Sequence, residues 1–238
     1  FELKTVLSDL SLIQKIKFIR STRIKNDFVI INGYNNYVFI LTFLLNIFSI
    51  NKKNIAVESD TQLKIPRNII KRIIKYIYLN VIFRNKYVLG FAGGSKTHKD
   101  LFIHYGMQEE RIFVIPMIVN NKKYYHENKT FPDKFSFLFV GRLLDTKNVD
   151  VLCERFLSAF SEKDSELIIV GGGPNLEVYK RKYNNEKILF KGTVFGESLL
   201  RLYHNSSVFV FPSSEEAWGL VVNEAMSSSL SVIAHKEV

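Results

Sequence analysis

VFVFPSSEEAWGLVVNEAM, Val208 to Met226, is the stretch on which the reading of this chain turns. A run of strand type, VFVF, gives way to Pro212-Ser213-Ser214, and after a short polar turn a helical segment begins near Leu220. Two carboxylates, Glu216 in the turn and Glu224 in the first turns of the helix, stand eight positions apart. With that spacing, both carboxylates and the free amides of the helix start can converge on one ligand. The amides favour phosphate and the carboxylates accept hydroxyl hydrogens, and a nucleotide sugar carries both.

Working outward, strands and helices alternate along the whole chain, the pattern of parallel α/β sheets with right-handed crossovers. The spacing predicts a strand at Asp27–Gly33, a helix at Tyr37–Phe48, a strand at Asn54–Ser59 and a helix at Pro66–Arg84 begun by its proline. A strand from Tyr87, a helix stopped by Gly106 and the strand RIFVIPM from Arg111 follow. The polar stretch NNKKYYHENKTFPDK, residues 120–134, reads as a linker. It separates two Rossmann-like halves, 1–119 and 135–238.

Three blocks accompany the opening stretch: FLFVGRLLDTKNVDVL from Phe137, LIIVGGGP from Leu167 and ILFKGTVFGESLLRLYHNSSVFVFPS from Ile188. In this order, and with Pro212-Ser213 and Glu216-Ala217-Trp218-Gly219-Leu220, they resemble the donor domain of the retaining, family-4 GT-B glycosyltransferases (glycosyl transferases group 1), whose signature is Glu-x7-Glu. About 100 residues carry the resemblance. It implies two Rossmann-like parallel-sheet domains facing across a cleft. Donor would sit on the second half at 135–238, and acceptor on the first at 1–119. GFAGGSKTHKDLFIHYGMQEERIFVIPMIVNN is similar, more loosely, to the end of the family's acceptor-side domain. The family usually begins with a Gly-rich loop after a first strand and continues into a Gly-Gly turn and closing helix. The chain therefore reads as a fragment with both domains incomplete.

Transfer of a sugar from a nucleoside diphosphate needs cations where charge gathers on the departing diphosphate. By resemblance, Arg142 and Lys147, after the strand ending at Gly141, contact that diphosphate, Arg as a fork of donors and Lys as a point charge. Glu224 accepts the ribose hydroxyls, Glu216 lies near the donor sugar, and the backbone amides of Trp218, Gly219 and Leu220 approach sugar or phosphate. Arg142, Lys147 and Glu216 are thus the catalytic candidates. Gly141, Gly172, Ser213, Trp218, Gly219, Leu220 and Glu224 complete the donor site. Gly219, lacking Cβ, lets the main chain come close to a ligand. Ala217 stands where the family usually has Gly. Glu215 reads as a solvated neighbour. Gly171 to Pro174 is not a dinucleotide fingerprint, because Leu176 stands where G-x-G-x-x-G needs its last glycine. This turn reads as mainly structural.

On the acceptor side, Glu58 and Asp60 lie at the carboxyl end of a strand and are candidates for orienting acceptor or sugar hydroxyls. Turn formation at Asp60-Thr61 is the rival account. His98, His104, His126 and His204 form no metal-ligand spacing. No metal and no cofactor beyond the donor is expected, in agreement with the family.

The chain has 238 residues, a formal charge of +10 and one cysteine, Cys153. The charge suits anionic partners, although a lysine-rich composition bias explains it equally well. A single Cys excludes an internal disulfide and fits a reducing compartment. PRNIIKRIIKYIYLNVIFRNK is amphipathic, with Ile69, Ile70, Ile73, Ile74, Ile77 and Val81 opposite Arg67, Lys71, Arg72 and Lys75. Packing of those isoleucines against the first sheet is the favoured reading, and contact with an anionic membrane surface the other. The expected function is transfer of a sugar, with retention, to a saccharide or lipid-linked acceptor in cell-surface polysaccharide or glycolipid synthesis. The expected place is the cytoplasm or the inner face of the cell membrane. The alternative is a non-catalytic nucleotide- or membrane-binding remnant. Binding of nucleic acid lacks any ordered motif.

Overall fold

The computed structural model describes residues 10–94, 96–125, 134–160 and 164–236. The chain divides between Met117 and Ile118 into two compact units. The first contains α1 (Leu12–Lys25), β1 (Phe28–Asn32), α2 (Tyr37–Ile47), β2 (Asn54–Ser59), α3 (Ile69–Phe83), β3 (Val88–Ala92), α4 (Lys96–His104) and β4 (Ile112–Val114). Its four strands form one parallel sheet in the order β1-β2-β3-β4. Ile55, Val57, Leu79, Phe83, Leu101 and Phe102 are central to its core.

Several boundaries differ from the sequence expectation, each for a local reason. Helix α3 starts at Ile69, not at Pro66, because the Asn68 side chain accepts the Lys71 N–H at 3.1 Å and so supplies the N-cap. The strand expected over RIFVIPM is only three residues long and follows a 3-10 turn at Glu109–Arg111. Helix α1 was not expected at all. A reciprocal capping box between Ser11 and Gln14 starts it.

The largest correction concerns α3. Leu79, Ile82 and Phe83 are its buried residues, whereas Ile69, Ile70, Ile73, Ile74, Ile77 and Val81 are exposed. The isoleucine face does not pack on the sheet.

The second unit contains α5 (Asn121–Tyr124), β5 (Phe135–Val140), α6 (Val149–Phe160), β6 (Ser165–Val170), α7 (Leu176–Lys182), β7 (Ile188–Gly192), α8 (Gly196–His204), β8 (Val208–Phe211), α9 (Leu220–Ser227) and β9 (Ser231–Ala234). Within the stretch expected as a linker, residues 121–124 are helical, while residues 126–133 lie outside the described residues. All five strands are parallel, in the order β7-β6-β5-β8-β9. FSFLFV and SELIIV are nearly continuous apolar runs because a doubly covered parallel sheet buries both faces of its inner strands. Phe139, Phe209 and Phe211 stack through the centre of this core, which also holds Cys153.

The strand order fixes where a ligand belongs. From β5 the chain winds outward through β6 to β7, then returns to place β8 on the other side of β5. Crevices at the carboxyl ends of the two strands flanking such a reversal are the ligand sites of doubly wound sheets. Here those ends carry Gly141–Lys147 and Pro212–Leu220.

Candidate active site

Gly141 follows β5 at the switch point, and the glycines after β6 close against it. The Gly141 N–H donates to Val170 O at 3.0 Å, and the Gly171 N–H to Gly192 O at 2.7 Å. A Cβ on Gly171 would lie 1.8 Å from the Gly141 carbonyl oxygen, one on Gly172 2.7 Å from Thr193 Oγ1, and one on Gly173 2.6 Å from Leu143 O. The Gly-Gly-Gly turn is therefore what lets the ends of β5, β6 and β7 come together. The Gly172 carbonyl accepts the Leu143 N–H at 2.8 Å, which ties this turn to the loop after β5.

The loop after β5 is stitched to the loop after β8. Asn148, left-handed at φ 51°, donates from Nδ2 to Pro212 O at 2.9 Å, and the Ser214 N–H donates to Thr146 O at 2.9 Å. This brings Lys147 onto the opening stretch of the motif. Its ammonium donates to Glu216 Oε2 at 2.5 Å, to Glu215 O at 3.2 Å and to Ser213 Oγ at 3.3 Å. Lys147 and Glu216 are only 13% and 21% exposed at their side chains, so the pair is little screened. Ser213 is fully buried and donates to Glu215 O at 2.7 Å. What Glu215 offers this cluster is its carbonyl. Glu216 also accepts the Ala217 N–H through Oε1 at 3.2 Å. Arg142, by contrast, is exposed, and among the described residues its guanidinium is in no hydrogen bond or ion pair.

Gly219 takes a left-handed conformation, φ 74°, as the N-cap of α9, and Leu220 opens the helix with Trp218 just before it. Glu224 is the fifth residue of α9. Instead of joining Glu216, its carboxylate accepts the Tyr124 hydroxyl at 2.8 Å through Oε1 and the Tyr203 hydroxyl at 2.9 Å through Oε2. Tyr203 is fully buried on α8, and its ring meets that of Tyr124 edge to face at 5.8 Å. His204 Nε2 lies 2.8 Å from Tyr124 O, and the Ser227 hydroxyl donates to Asn121 Oδ1 at 2.9 Å, so α5 is fastened to α8 and α9. Burial, then the bond to Glu224, pushes the Tyr124 phenol up to about 12. Burial likewise raises Tyr203, with the Glu224 charge adding to it. A carboxylate has about four acceptor positions, so two phenols leave Glu224 capacity for ligand hydroxyls.

The expected residues thus form three groups. Lys147, Ser213 and Glu216 are in direct contact, Gly141 and Gly172 pack the strand ends, and Glu224 stands with Tyr124 and Tyr203. In the first unit, Glu58 is the penultimate residue of β2 and its carbonyl accepts the Gly33 N–H at 2.8 Å. Asp60 is exposed just beyond the strand. The Thr61 N–H is taken by Ser59 Oγ at 3.2 Å, so Ser59 rather than Asp60 supplies the side-chain acceptor of that turn. Among the described residues no group of three or more His, Cys, Asp or Glu is arranged to hold a metal ion.

Comparison with known proteins bears on the second unit first. Residues 134–237 match the family model described as glycosyl transferases group 1. A sulfoquinovosyl transferase of Arabidopsis thaliana is 35% identical over 103 residues, 43% of this chain and 20% of that protein. An alpha-monoglucosyldiacylglycerol synthase of Acholeplasma laidlawii is 28% identical over 138 residues, 50% of this chain and 35% of that one. Among solved structures, Anabaena HepE in complex with UDP-glucose superposes with a TM-score of 0.70 at 16% identity, covering 96% of this chain and 65% of HepE. The chain spans less than two thirds of each of these proteins. Its two units of parallel sheet and this likeness identify the GT-B fold.

Proposed function

We propose that this chain, whose residues 134–237 belong to the glycosyl transferases group 1 family, is the part of a glycosyltransferase that binds a nucleoside-diphosphate sugar at the β5/β8 switch point. The observation that carries this reading is the meeting of Lys147 with Ser213 and Glu216 at that point, with Arg142 exposed in the same loop and its guanidinium without a partner among the described residues. Names of similar proteins support the ligand class, since HepE is seen with UDP-glucose.

In this reading, the bond between the anomeric carbon and the diphosphate oxygen breaks, and the electron pair leaves on the diphosphate. Arg142 and Lys147 stabilise that charge. The acceptor hydroxyl attacks from the face the diphosphate leaves, its proton passing to a diphosphate oxygen, so configuration is retained without a covalent enzyme intermediate. Glu224 accepts ribose hydroxyls, and Glu216 holds Lys147 and borders the sugar. The Trp218, Gly219 and Leu220 amides face sugar or phosphate. No step requires a metal, because the two cations supply the charge.

The acceptor is a saccharide or a lipid-linked molecule, approached by Glu58 and Asp60, in cell-surface polysaccharide or glycolipid synthesis. The name of the Acholeplasma relative, a diacylglycerol glucosylating enzyme, is in keeping with the lipid case. Work of this kind places the protein in the cytoplasm or at the inner face of the cell membrane.

Calorimetric titration with UDP-, GDP- and ADP-sugars tests the donor site. Binding of one of them that Arg142→Ala and Lys147→Ala weaken is the expected result, and no binding to any of the three overturns the reading. The anomeric configuration of a product, read by nuclear magnetic resonance, tests retention.

A further inference from the structure

The entire formal charge of +10 resides on the first unit. Residues 1–117 hold 18 Lys and Arg against 8 Asp and Glu, whereas residues 118–238 hold 15 of each. Lys and Arg are spread over both units, 18 and 15, so the difference lies in the acidic residues, of which the first unit has 8 and the second 15. The excess is concentrated further still, for between Thr61 and Lys99 there are nine Lys and Arg and no acidic residue.

Helix α3 runs through this segment. Its residues Ile69, Ile70, Ile73, Ile74, Ile77 and Val81 form a single stripe at helical spacing and are each 52–64% exposed. Leu79, Ile82 and Phe83 face the other way and are buried. The helix is apolar towards its sheet and apolar away from it, a pattern found where a helix is covered on both sides. At about 100° per residue, Lys71 and Arg72 lie roughly 60° beyond the two edges of the stripe, one on each side. Beside the stripe is a hollow lined by Ile65, Ile73, Tyr76 and Tyr105 together with Arg72 and His104.

We propose that α3 docks the first unit on an anionic lipid surface. The isoleucine stripe enters the boundary between headgroups and acyl chains, and Lys71, Arg72 and the neighbouring cations meet the lipid phosphates. Charge complementarity selects this occupant. In a symmetric contact with a second copy, the same cation-rich segment would face itself. A nucleic acid is bound through cations on the contact face, which here is isoleucine. Docking rests on the first unit alone and stands apart from the donor reading.

The test is flotation of the full chain with vesicles of phosphatidylcholine alone and of phosphatidylcholine with phosphatidylglycerol, at low and high salt. Recovery with the anionic vesicles is expected to exceed that with neutral ones by roughly tenfold or more, and to fall as salt screens the cations. The double variant Ile73→Asp with Ile77→Asp should lose most of this binding while keeping the parent's melting temperature, because both positions are exposed. Lys71→Glu with Arg72→Glu should lose it through charge alone. Equal recovery from both vesicles overturns docking. So does an aspartate variant that still floats, which would leave only attraction between polycation and polyanion. Light scattering that finds a dimer dispersed by the aspartates, with no lipid preference, assigns the stripe to a second copy instead.

Discussion

Lys147 has three N–H donors, and Glu216, Glu215 and Ser213 take them. A diphosphate that binds here exchanges one of these acceptors for a phosphate oxygen, so the lysine is held in position by the groups it gives up. Loss of one preorganised donor to a developing anion costs roughly 2.7–4 kcal/mol of transition-state stabilisation. Lys147→Ala should therefore slow transfer about a hundredfold or more at saturating donor, and a variant working within about threefold of the parent would remove Lys147 from the site. Glu224 is held differently, by the Tyr203 and Tyr124 hydroxyls. Tyr203→Phe removes one hydrogen bond to a charged group, worth about 1.5–3 kcal/mol. It should raise the KM for donor more than it lowers kcat, because Glu224 is assigned to the ribose rather than to the breaking bond. The phenol of Tyr124 has a pH signature. Its folded value is raised from 10.0 to about 12, so between those values the folded state holds a proton that the unfolded state has released. Stability from this group is complete below 10.0 and is lost as pH rises to about 12. Urea titrations over that window should show a gentler decline for Tyr124→Phe than for the parent. Arg142, Lys147, Glu216 and Glu224 were legible as candidates in the sequence because they sit at fixed offsets within two short blocks, the first two in one and the last two in the other. Tyr124 was not, since it stands 100 positions from the carboxylate it touches and sequence spacing carries no trace of that contact.

At the scale of elements, the strand ends after β5 and β6 leave no room for a side chain. Gly171, at φ 141°, would drive a Cβ to 1.8 Å from the Gly141 carbonyl, whereas Gly192, at φ 65°, has nothing within 4 Å of its Cβ. Both conformations disfavour an L-residue, but only the first also collides with backbone. Gly192→Ala should cost about 1–2 kcal/mol. Gly171→Ala should exceed about 4 kcal/mol, the exceptional range for a single substitution. Thermal denaturation of the two variants orders them, and a Gly171→Ala protein that melts with the parent would mean the turn can open. Strands and helices were mostly readable in this chain, because long apolar runs and 3.6-residue periods survive without tertiary context. Pro66 looked like a helix start, yet Asn68 offers the side-chain acceptor that α3 uses. The isoleucines of α3 looked like a core face, yet periodicity gives only the width of an apolar stripe and not what covers it. Three residues nearer the end of the same helix, Leu79, Ile82 and Phe83, are the ones buried in the core. The Ser11-x-x-Gln14 box ahead of α1 was a usable signal that went unread.

The molecule as a whole divides its physical tasks between its two units. Each unit has its own sheet and its own core, and all the net charge belongs to the first. The loops proposed to bind the donor belong to the second, whose Lys and Arg are matched in number by Asp and Glu. Attraction for a nucleotide there must come from a few placed cations rather than from a general positive field. Binding should accordingly depend on Arg142 and Lys147 far more than on bulk ionic strength. The chain contains one tryptophan, Trp218, and it lies in the turn before α9 of the second unit. Its fluorescence therefore reports on that unit, while far-ultraviolet circular dichroism reports on both. A ligand that binds only the native second unit stabilises it by about 2.7 kcal/mol when present at a hundred times its Kd. Nucleotide should shift the Trp218 transition in urea to higher concentration. Because the two cores are separate, the part of the dichroism signal that comes from the first unit need not follow. If nucleotide moves both signals by the same amount, the units unfold as one cooperative body. If it moves neither, the chain has no donor site, and the charge on the first unit becomes the better guide to what this protein binds.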